Sequence, residues 1–280
     1  MLELGIFARV FPPGPAHRVA ELIRSAGFAT TQLNLSALGR PTLDPTLTDD
    51  EAASISAAFR GAGVRIWALS GTFNAIHLDP AIREAGIEAC RANILRAATM
   101  GAEVVTLCTG SRDRESMWRP HPDNATPAAW RDLRSALDRL IPAAAEADVR
   151  LGIEPEPGNV IRDSETAVRL FRELGDDARH LAVVLDPANL LTVDTLPSQE
   201  RILTHAFGAL GGWTAGVHAK DVVAAGYAAP GVGGMDYELV MRLHADLPRR
   251  VPIIAQSLLA DDARRVAAFL SEHAARVRPE

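Results

Sequence analysis

The sequence predicts a closed (β/α)₈ barrel formed by the whole chain, residues 1–280, as a single domain. Short apolar runs alternate with longer amphipathic segments, and eight such pairs follow one another. Several apolar runs are rich in Val, Ile and Leu without alternation, which is typical of strands buried on both faces of a parallel sheet. An open doubly wound sheet is the alternative, but it usually has a glycine-rich turn after its first strand, and Ala8–Gly14 contains no such motif.

The predicted elements are joined mostly by short connections. The predicted strands are Leu2–Phe7, Thr30–Leu35, Val64–Leu69, Val104–Cys108, Val149–Ile153, Leu181–Leu185, Thr214–Val217 and Val251–Ala255. The predicted helices are Ala16–Ala26, Asp49–Ala62, Pro80–Met100, Pro127–Ala147, Ser164–Leu174, Ser198–Leu210, Tyr237–Ala245 and Asp261–Ala275. Two connections, Gly71–Asp79 and Gly110–Ala125, are longer than average and follow strand C-termini, so we expect them on the catalytic face.

The composition disfavours several classes of protein. The formal charge is −6 and there is no Lys/Arg run, so nucleic acid is a poor fit as the main partner. The two cysteines, Cys90 and Cys108, are too few for a disulfide framework and predict reduced thiols in a cytoplasmic protein. The N-terminus lacks the basic segment of a signal peptide. No apolar run approaches the roughly 18 residues that span a bilayer, so we expect no membrane partner.

Polar side chains end the last four predicted barrel strands. These residues are Glu154, Asp186, His218 and Gln256. Taken singly, each has a simpler interpretation as a helix cap or a structural side chain. Their shared position at strand C-termini instead predicts that they lie together at the barrel mouth. Two carboxylates, an imidazole and an amide oxygen form a mostly hard ligand set, which predicts one divalent metal ion, Mn²⁺ first, with Mg²⁺, Co²⁺ or Zn²⁺ as alternatives.

Several segments together resemble the sugar phosphate isomerase/epimerase superfamily of xylose isomerase-like TIM barrels, over nearly the whole chain. The matching segments are Gly71–Asp79, Val105–Gly110, Arg112–Asp113, Met117–Asn124, Ile153–Glu156, Leu185–Leu190 and His218–Asp221. The resemblance implies that Glu154, Asp186 and His218 bind the metal. It also implies a small carbohydrate-like substrate, and a homo-oligomer is one expectation because barrels of this family are often dimers or tetramers.

The eighth strand departs from the family pattern. Epimerases of this family have a second glutamate there, as ligand and acid/base, whereas this chain has Gln256. An amide oxygen can still bind a metal, but it cannot accept a proton. The mechanism with one glutamate on each face of the substrate carbon is therefore in doubt. A one-base isomerisation, or a lyase reaction that starts from the same deprotonation, stays compatible with the sequence.

The expected chemistry is proton abstraction from a hydroxy-carbonyl substrate, with the metal stabilising the resulting enediolate. The candidate acid/base residues are Glu154, Glu156 and His77. Lys220 could neutralise the enediolate, although an ion pair with Asp221 or Glu156 is an equally good interpretation. The candidates for substrate contacts, several of them on a loop that we interpret as a lid, are Asn74, Arg112, Trp118, His121, Asn124 and Asn189.

The leading hypothesis is a metal-dependent isomerase or epimerase of a small sugar, polyol or hydroxy-keto acid. A lyase such as an inosose dehydratase is the close alternative, because it begins with the same step. An apurinic endonuclease uses the same barrel, but it needs a histidine where this chain has Asn189. A barrel that has lost activity and only binds a ligand is the fourth hypothesis, and Gln256 is the feature that motivates it.

Overall fold

The computed structural model describes residues 2–277 and confirms the closed barrel. Its strands are β1 (Leu4–Phe7), β2 (Thr30–Leu33), β3 (Arg65–Ser70), β4 (Val104–Leu107), β5 (Arg150–Ile153), β6 (Leu181–Leu185), β7 (Thr214–Ala219), β8 (Asp221–Val223), β9 (Gly226–Ala228) and β10 (Ile253–Ala255). All but β8 and β9 form the parallel barrel, in the order β1-β10-β7-β6-β5-β4-β3-β2. All strand C-termini therefore meet at one rim.

Eight helices surround the barrel within the described part of the chain. They are α1 (Ala16–Ser25), α2 (Asp49–Gly61), α3 (Pro80–Met100), α4 (Pro127–Glu146), α5 (Ser164–Leu174), α6 (Gln199–Leu210), α7 (Tyr237–Ala245) and α8 (Ala263–Val277). Their ends lie within two residues of the predicted ends, because caps such as Thr48 and Asp163 mark them locally. None of the helices within residues 2–277 combines the length and the apolarity that crossing a membrane requires.

Two features of the strands differ from the prediction. Strand β7 continues to Ala219, two residues beyond the predicted end, so His218 lies inside the strand rather than after it. The antiparallel hairpin of β8 and β9 was not predicted. Its strands are three residues long, and its turn, Ala224 and Ala225, lacks the Asn-Gly type of signal that usually marks a tight hairpin.

The barrel interior is filled by one large side chain. Trp67 of β3 is 1% exposed and packs with an inner cluster that includes Phe7, Val104 and Ile254. Strand β7 lies directly across the barrel from β3, and its Gly216 faces the indole ring. A Cβ atom at Gly216 would lie 2.3 Å from the Trp67 ring, so glycine is required for the indole to cross the barrel. The interior is thus a packed core that supports the rim above it.

We expect Gly216→Ala to lower the free energy of unfolding by about 1–3 kcal/mol, because the added methyl overpacks the interior against Trp67. Denaturant unfolding followed by circular dichroism measures this change. Gly208→Ala is the matched control: it lies in α6 with open space around it, and should stabilise the protein by up to about 1 kcal/mol. Equal effects of the two substitutions would contradict the role assigned to Gly216.

Candidate active site and metal centre

Four neighbouring strands bring the predicted ligand set together at the C-terminal rim. Glu154 follows β5, Asp186 follows β6, His218 is the penultimate residue of β7 and Gln256 follows β10. Ligand atoms of Glu154, Asp186 and His218 all lie within 4.8 Å of one another. This is the one group of three or more potential metal ligands of these types within residues 2–277.

The imidazole of His218 faces both carboxylates. Its Nδ1 lies 3.2 Å from Glu154 Oε1 and 3.8 Å from Asp186 Oδ2. His218 and Asp186 are fully buried, and the Nδ1 atom of His218 forms no hydrogen bond. A buried polar atom normally has a partner, so an unsatisfied nitrogen between two carboxylates requires an explanation.

The other ring nitrogen of His218 is held by Gln32 of β2. His218 Nε2 lies 3.0 Å from Gln32 Oε1, and the Gln32 amide donates to the hydroxyls of Ser70 and Thr106 at 3.2 and 3.1 Å. Because these donations turn Oε1 towards the ring, Nε2 donates to it, and Nδ1 is the ring nitrogen that faces the carboxylates. Gln32 thus orients the imidazole as outer partners of ligand histidines do.

The cluster fits a divalent cation. Ligand atoms about 2.0–2.2 Å from one ion lie about 3–3.5 Å from each other, close to the two observed separations. A ring nitrogen without a hydrogen bond that faces two carboxylates is the donor arrangement that such an ion needs, because the positive charge of the ion would offset the two negative charges. The glutamate and aspartate oxygens and the imidazole are suited to Mn²⁺, Mg²⁺, Co²⁺ or Zn²⁺.

Lys220 and Asn189 connect the cluster to the cavity wall. Lys220 Nζ lies 3.1 Å from Asp186 Oδ2 and donates to Asn189 Oδ1 at 2.6 Å, while Asn189 Nδ2 donates to Glu154 Oε1 at 2.9 Å. The ring of Tyr227, from the hairpin, lies 3.7 Å from Nζ. Burial lowers the pKa of Lys220, but Asp186 and Glu154 outweigh that effect and raise it, so the ammonium stays charged.

Glu156 lies two residues beyond Glu154 and lines the same cavity. Burial and the neighbouring charge of Glu154 raise the pKa of Glu156 well above its usual range. Cys108 lies on the same wall, where burial and then the charge of Glu156 raise the pKa of its thiol, so it is a neutral side chain. Its Sγ donates to Asn159 Oδ1 at 3.2 Å.

Gln256 contacts the cluster through its amide nitrogen. Its Nε2 donates to Asp186 Oδ2, and its side chain lines the cavity. The backbone of the next residue, Ser257, is left-handed with a φ of 58°, a conformation unusual for a residue other than glycine. In this arrangement Gln256 orients Asp186 rather than presenting its oxygen to the cluster.

A cavity of 220 Å³ opens above the cluster. A water molecule occupies about 30 Å³ of the liquid, so this volume corresponds to roughly seven waters and to a small substrate. The lining comes from most of the strand ends and from the loop after β4. The lining residues are Phe7, Arg9, Gln32, Asn34, Thr42, Ser70, Thr72, Thr106, Leu107, Cys108, Met117, Trp118, Glu154, Glu156, Lys220 and Gln256. Trp118, predicted to contact substrate, is therefore on the cavity, with half of its surface exposed.

Three predicted substrate contacts lie inside the loops that frame the cavity. Asn74 donates to Ser111 O at 2.7 Å, and Asn124 donates to Gly158 O at 2.8 Å. The Arg112 guanidinium donates to Ile76 O and to Asp132 Oδ2, both at 2.6 Å, not to Asp113. These bonds connect the segments after β3, β4 and β5 to one another.

The two predicted loop histidines cap their own segments. The Nδ1 atom of His77 accepts from the backbone N–H of Asp79 at 3.0 Å, and that of His121 accepts from Asp123 at 3.2 Å. Neither is among the residues that line the cavity.

Several cavity residues were not singled out from the sequence. Gln32 and Thr106 stand in fully buried strands, and a polar residue inside a buried strand is the signal that marks them. Arg9 and Asn34 carry no such signal, because loop residues are placed by the conformation of the loop. Tyr227, which contacts Lys220, belongs to the hairpin that was not predicted.

The fold and the rim cluster define a (β/α)₈ barrel with its site at the C-terminal ends of the strands. The chain belongs to the xylose isomerase-like TIM barrel family, whose model matches residues 20–255, and the resemblance noted in the sequence is confirmed. Comparison with curated proteins finds no match.

Solved structures of sugar epimerases share the fold. One is 3-keto-D-glucoside 4-epimerase from E. coli, at 16% identity over 97% of this chain and 100% of that chain, with a TM-score of 0.75. Another is D-psicose 3-epimerase with D-tagatose from Clostridium cellulolyticum H10, at 14% identity, 98% and 99% coverage and a TM-score of 0.75. A third, L-ribulose 3-epimerase, has 16% identity, 99% and 96% coverage and a TM-score of 0.77. At these identities the likeness is one of fold.

We expect Gln32→Met to weaken Mn²⁺ binding by about 10–100-fold, because His218 loses the partner that fixes its tautomer and orientation. Titration against a fluorescent chelator measures the affinity. Gln199→Met, at the first residue of α6 and outside the cluster, is the control and should leave the affinity unchanged. Wild-type affinity in Gln32→Met would show that the bond to His218 does not support metal binding.

Proposed function

We propose that the protein is a divalent-metal-dependent isomerase or epimerase of a small sugar, polyol or hydroxy-keto acid. The observation that carries the proposal is the cluster of Glu154, Asp186 and His218, with its unsatisfied Nδ1 atom, at the base of a small polar cavity. The epimerases of known structure with the same fold add support at the level of the scaffold. Glu154, Asp186 and His218 would hold the ion, and the hard donor set favours Mn²⁺.

A divalent cation at this site would polarise the carbonyl of a hydroxy-ketone and stabilise the negative charge that develops on its oxygen. Glu156 is the residue placed to take the proton. It lines the cavity beside the cluster without belonging to it, so its carboxylate is not needed as a ligand. Return of the proton to the neighbouring carbon gives isomerisation, and protonation of the same carbon from the other face gives epimerisation.

Lys220 supplies a fixed positive charge at the same wall. Its ammonium is held by Asp186 and Asn189 and lines the cavity, so it is oriented before a substrate arrives. Such a group stabilises an oxyanion and hydrogen-bonds a substrate hydroxyl without reorganising. Trp118 and Tyr227, both partly exposed near the mouth, can cover the substrate and exclude water.

The amide at Gln256 favours a reaction that needs one carboxylate base. Its nitrogen donates to Asp186, so this wall offers no second carboxylate to deprotonate or reprotonate the opposite face of a carbon. A lyase that begins with proton removal by Glu156 and then expels a hydroxide from the adjacent carbon shares this requirement. It is the second candidate, and product analysis distinguishes the two.

The metal site is tested by elemental analysis of wild type and His218→Ala after reconstitution with Mn²⁺. We expect close to one equivalent in the wild type and a near-complete loss in the variant, because the remaining carboxylates lose their third ligand. His205→Ala, an exposed histidine of α6, should bind as the wild type does. If the wild type holds no ion after reconstitution with Mn²⁺, Co²⁺ or Zn²⁺, the metal-dependent function is wrong.

The chemistry is tested by NMR in D₂O, which follows exchange of substrate C–H protons in D-tagatose, L-ribulose and inososes. We expect Glu156→Gln to slow exchange by about 10²–10⁴-fold with unchanged metal content, because the variant lacks the base. Glu165→Gln, on the surface of α5, is the control.

The position of exchange identifies the reaction. Exchange at C3 of a ketose indicates a 3-epimerase, exchange at C1 indicates an aldose–ketose isomerase, and loss of water indicates a lyase. Full exchange in Glu156→Gln would exclude Glu156 as the base. A metal-loaded wild type that exchanges none of these substrates would contradict the catalytic proposal and favour a barrel that only binds a ligand.

A further inference from the structure

The wall of the cavity formed by the ends of β1 and β2 has a chemistry different from the metal side. Arg9 follows β1, and Asn34 follows β2, the strand paired with β1. Both line the cavity. Strand β1 lies across the barrel from β5, where Glu154 and Glu156 stand, so the mouth has an acidic side and a side that carries donors.

The guanidinium of Arg9 has no polar partner among the described side chains. Within residues 2–277 no acidic group lies within ion-pair distance of it and no side-chain hydrogen bond engages it; its contact is with the ring of Phe7, 5.7 Å away. The other cation of the lining, Lys220, is bound to Asp186 and Asn189. Arg112, one of the predicted substrate contacts, is bound to Asp132 and does not line the cavity.

Asn34 adds a second free donor. Its Oδ1 accepts from the backbone N–H of Ser36 at 2.9 Å and from Thr42 Oγ1 at 3.1 Å. The bond from a backbone N–H fixes which side-chain atom of Asn34 is the oxygen, so the other atom is the amide nitrogen Nδ2. Within the described residues, Nδ2 donates to no protein group. Asn34 is only 6% exposed, so the little surface that it has faces the cavity.

The separation of the two sides suits a small molecule. The ring of Phe7 lies between the two sides of the cavity. Its centroid is 5.1 Å from that of the His218 ring and 5.7 Å from the guanidinium carbon of Arg9. The guanidinium is therefore at most about 11 Å from the imidazole. Polar contacts of about 3 Å at each end leave at most about 5 Å. An extended chain advances about 3.3–3.6 Å for three bonds, so the gap accommodates up to roughly four bonds.

We propose that Arg9 and Asn34 form a subsite for a terminal oxyanion, and that the substrate is an acidic sugar derivative, either a sugar acid or a sugar phosphate, of four to six carbons. This inference rests on the proposed function, because the hydroxy-carbonyl end of the substrate is taken to lie at the rim cluster. A guanidinium with free N–H groups beside a free amide donor, on a side of the lining that has no carboxylate, recognises a carboxylate or a phosphate.

Matched neutral and acidic ketoses test the subsite by isothermal titration calorimetry on the Mn²⁺-loaded protein. D-tagatose is compared with D-tagaturonate and D-tagatose 6-phosphate, and L-ribulose with L-ribulose 5-phosphate. We expect the wild type to bind an acidic member about 10–100-fold more tightly than its neutral partner, as a charge-assisted hydrogen bond implies. Preference for tagaturonate alone identifies a carboxylate, and preference for the phosphates alone identifies a phosphate ester.

The variants assign the preference to Arg9. In Arg9→Met the preference for the acidic member should fall below threefold, and Arg9→Lys should keep part of it. Arg18→Met removes an equal charge from the surface of α1 and should keep all of it. Equal binding of neutral and acidic sugars by the wild type, or a preference that survives Arg9→Met, overturns the inference alone. If the metal-loaded protein binds none of these sugars, the proposed function fails as well.

Discussion

The concentration of negative charge at one side of the barrel mouth governs the arrangement of the site. Glu154, Glu156 and Asp186 lie on two adjacent strand ends, and Lys220 is the cation placed among them. Burying carboxylates without compensation costs several kcal/mol per charge, so this arrangement is stable only with added positive charge or with a shared proton. A divalent cation at the cluster would supply that charge. It would also offset the charge of Glu154 that, after burial, raises the pKa of Glu156, and so favour the ionised carboxylate that a base requires.

The hydrogen bonds around the cluster limit where that positive charge can be. Gln32 directs Nδ1 of His218 towards the carboxylates, and Asn189 bridges Glu154 to Lys220. Gln32 and Asn189 are buried and each is held by a further partner, so they fix the positions of the ligand side chains. The closed barrel makes this rigidity available, because Gln32 and His218 are 186 residues apart in sequence and meet only when β2 and β7 share one interior.

The barrel and the rim positions were predictable because they follow from periodicity. A buried strand of a parallel barrel is an apolar run, and the first polar residue after it lies at the rim, which located Glu154, Asp186 and Gln256 within one residue of the structure. The loop residues were less predictable. A polar side chain in a long loop can contact a substrate or hold the loop together, and composition does not separate these roles. For Asn74 and Arg112 the bonds observed are those that hold the loops.

Gln256 shows how one residue changes the chemistry that a site can perform. An amide has the length of a glutamate side chain, but it exchanges an acceptor for a donor, and this donor binds Asp186. The local negative charge is one unit lower than it would be with two glutamates. Less positive charge is then needed to neutralise the carboxylates of the site, whether that charge comes from a bound metal, from Lys220 or from a proton on Glu156. A one-base reaction is the chemistry consistent with that balance.

The proposed reaction and the proposed recognition of the far end of the substrate involve residues on different sides of the cavity. Residues after β5, β6 and β7 lie on rigid strand ends and interlock through buried hydrogen bonds, so a change at one of them disturbs the others. Arg9 and Asn34 contact none of these groups, and Arg9 is exposed. Substitutions after β1 and β2 can therefore change the group that the cavity accepts at the far end of a substrate while the cluster stays intact. Under the proposed function, this independence would let the same reaction centre serve substrates of different charge.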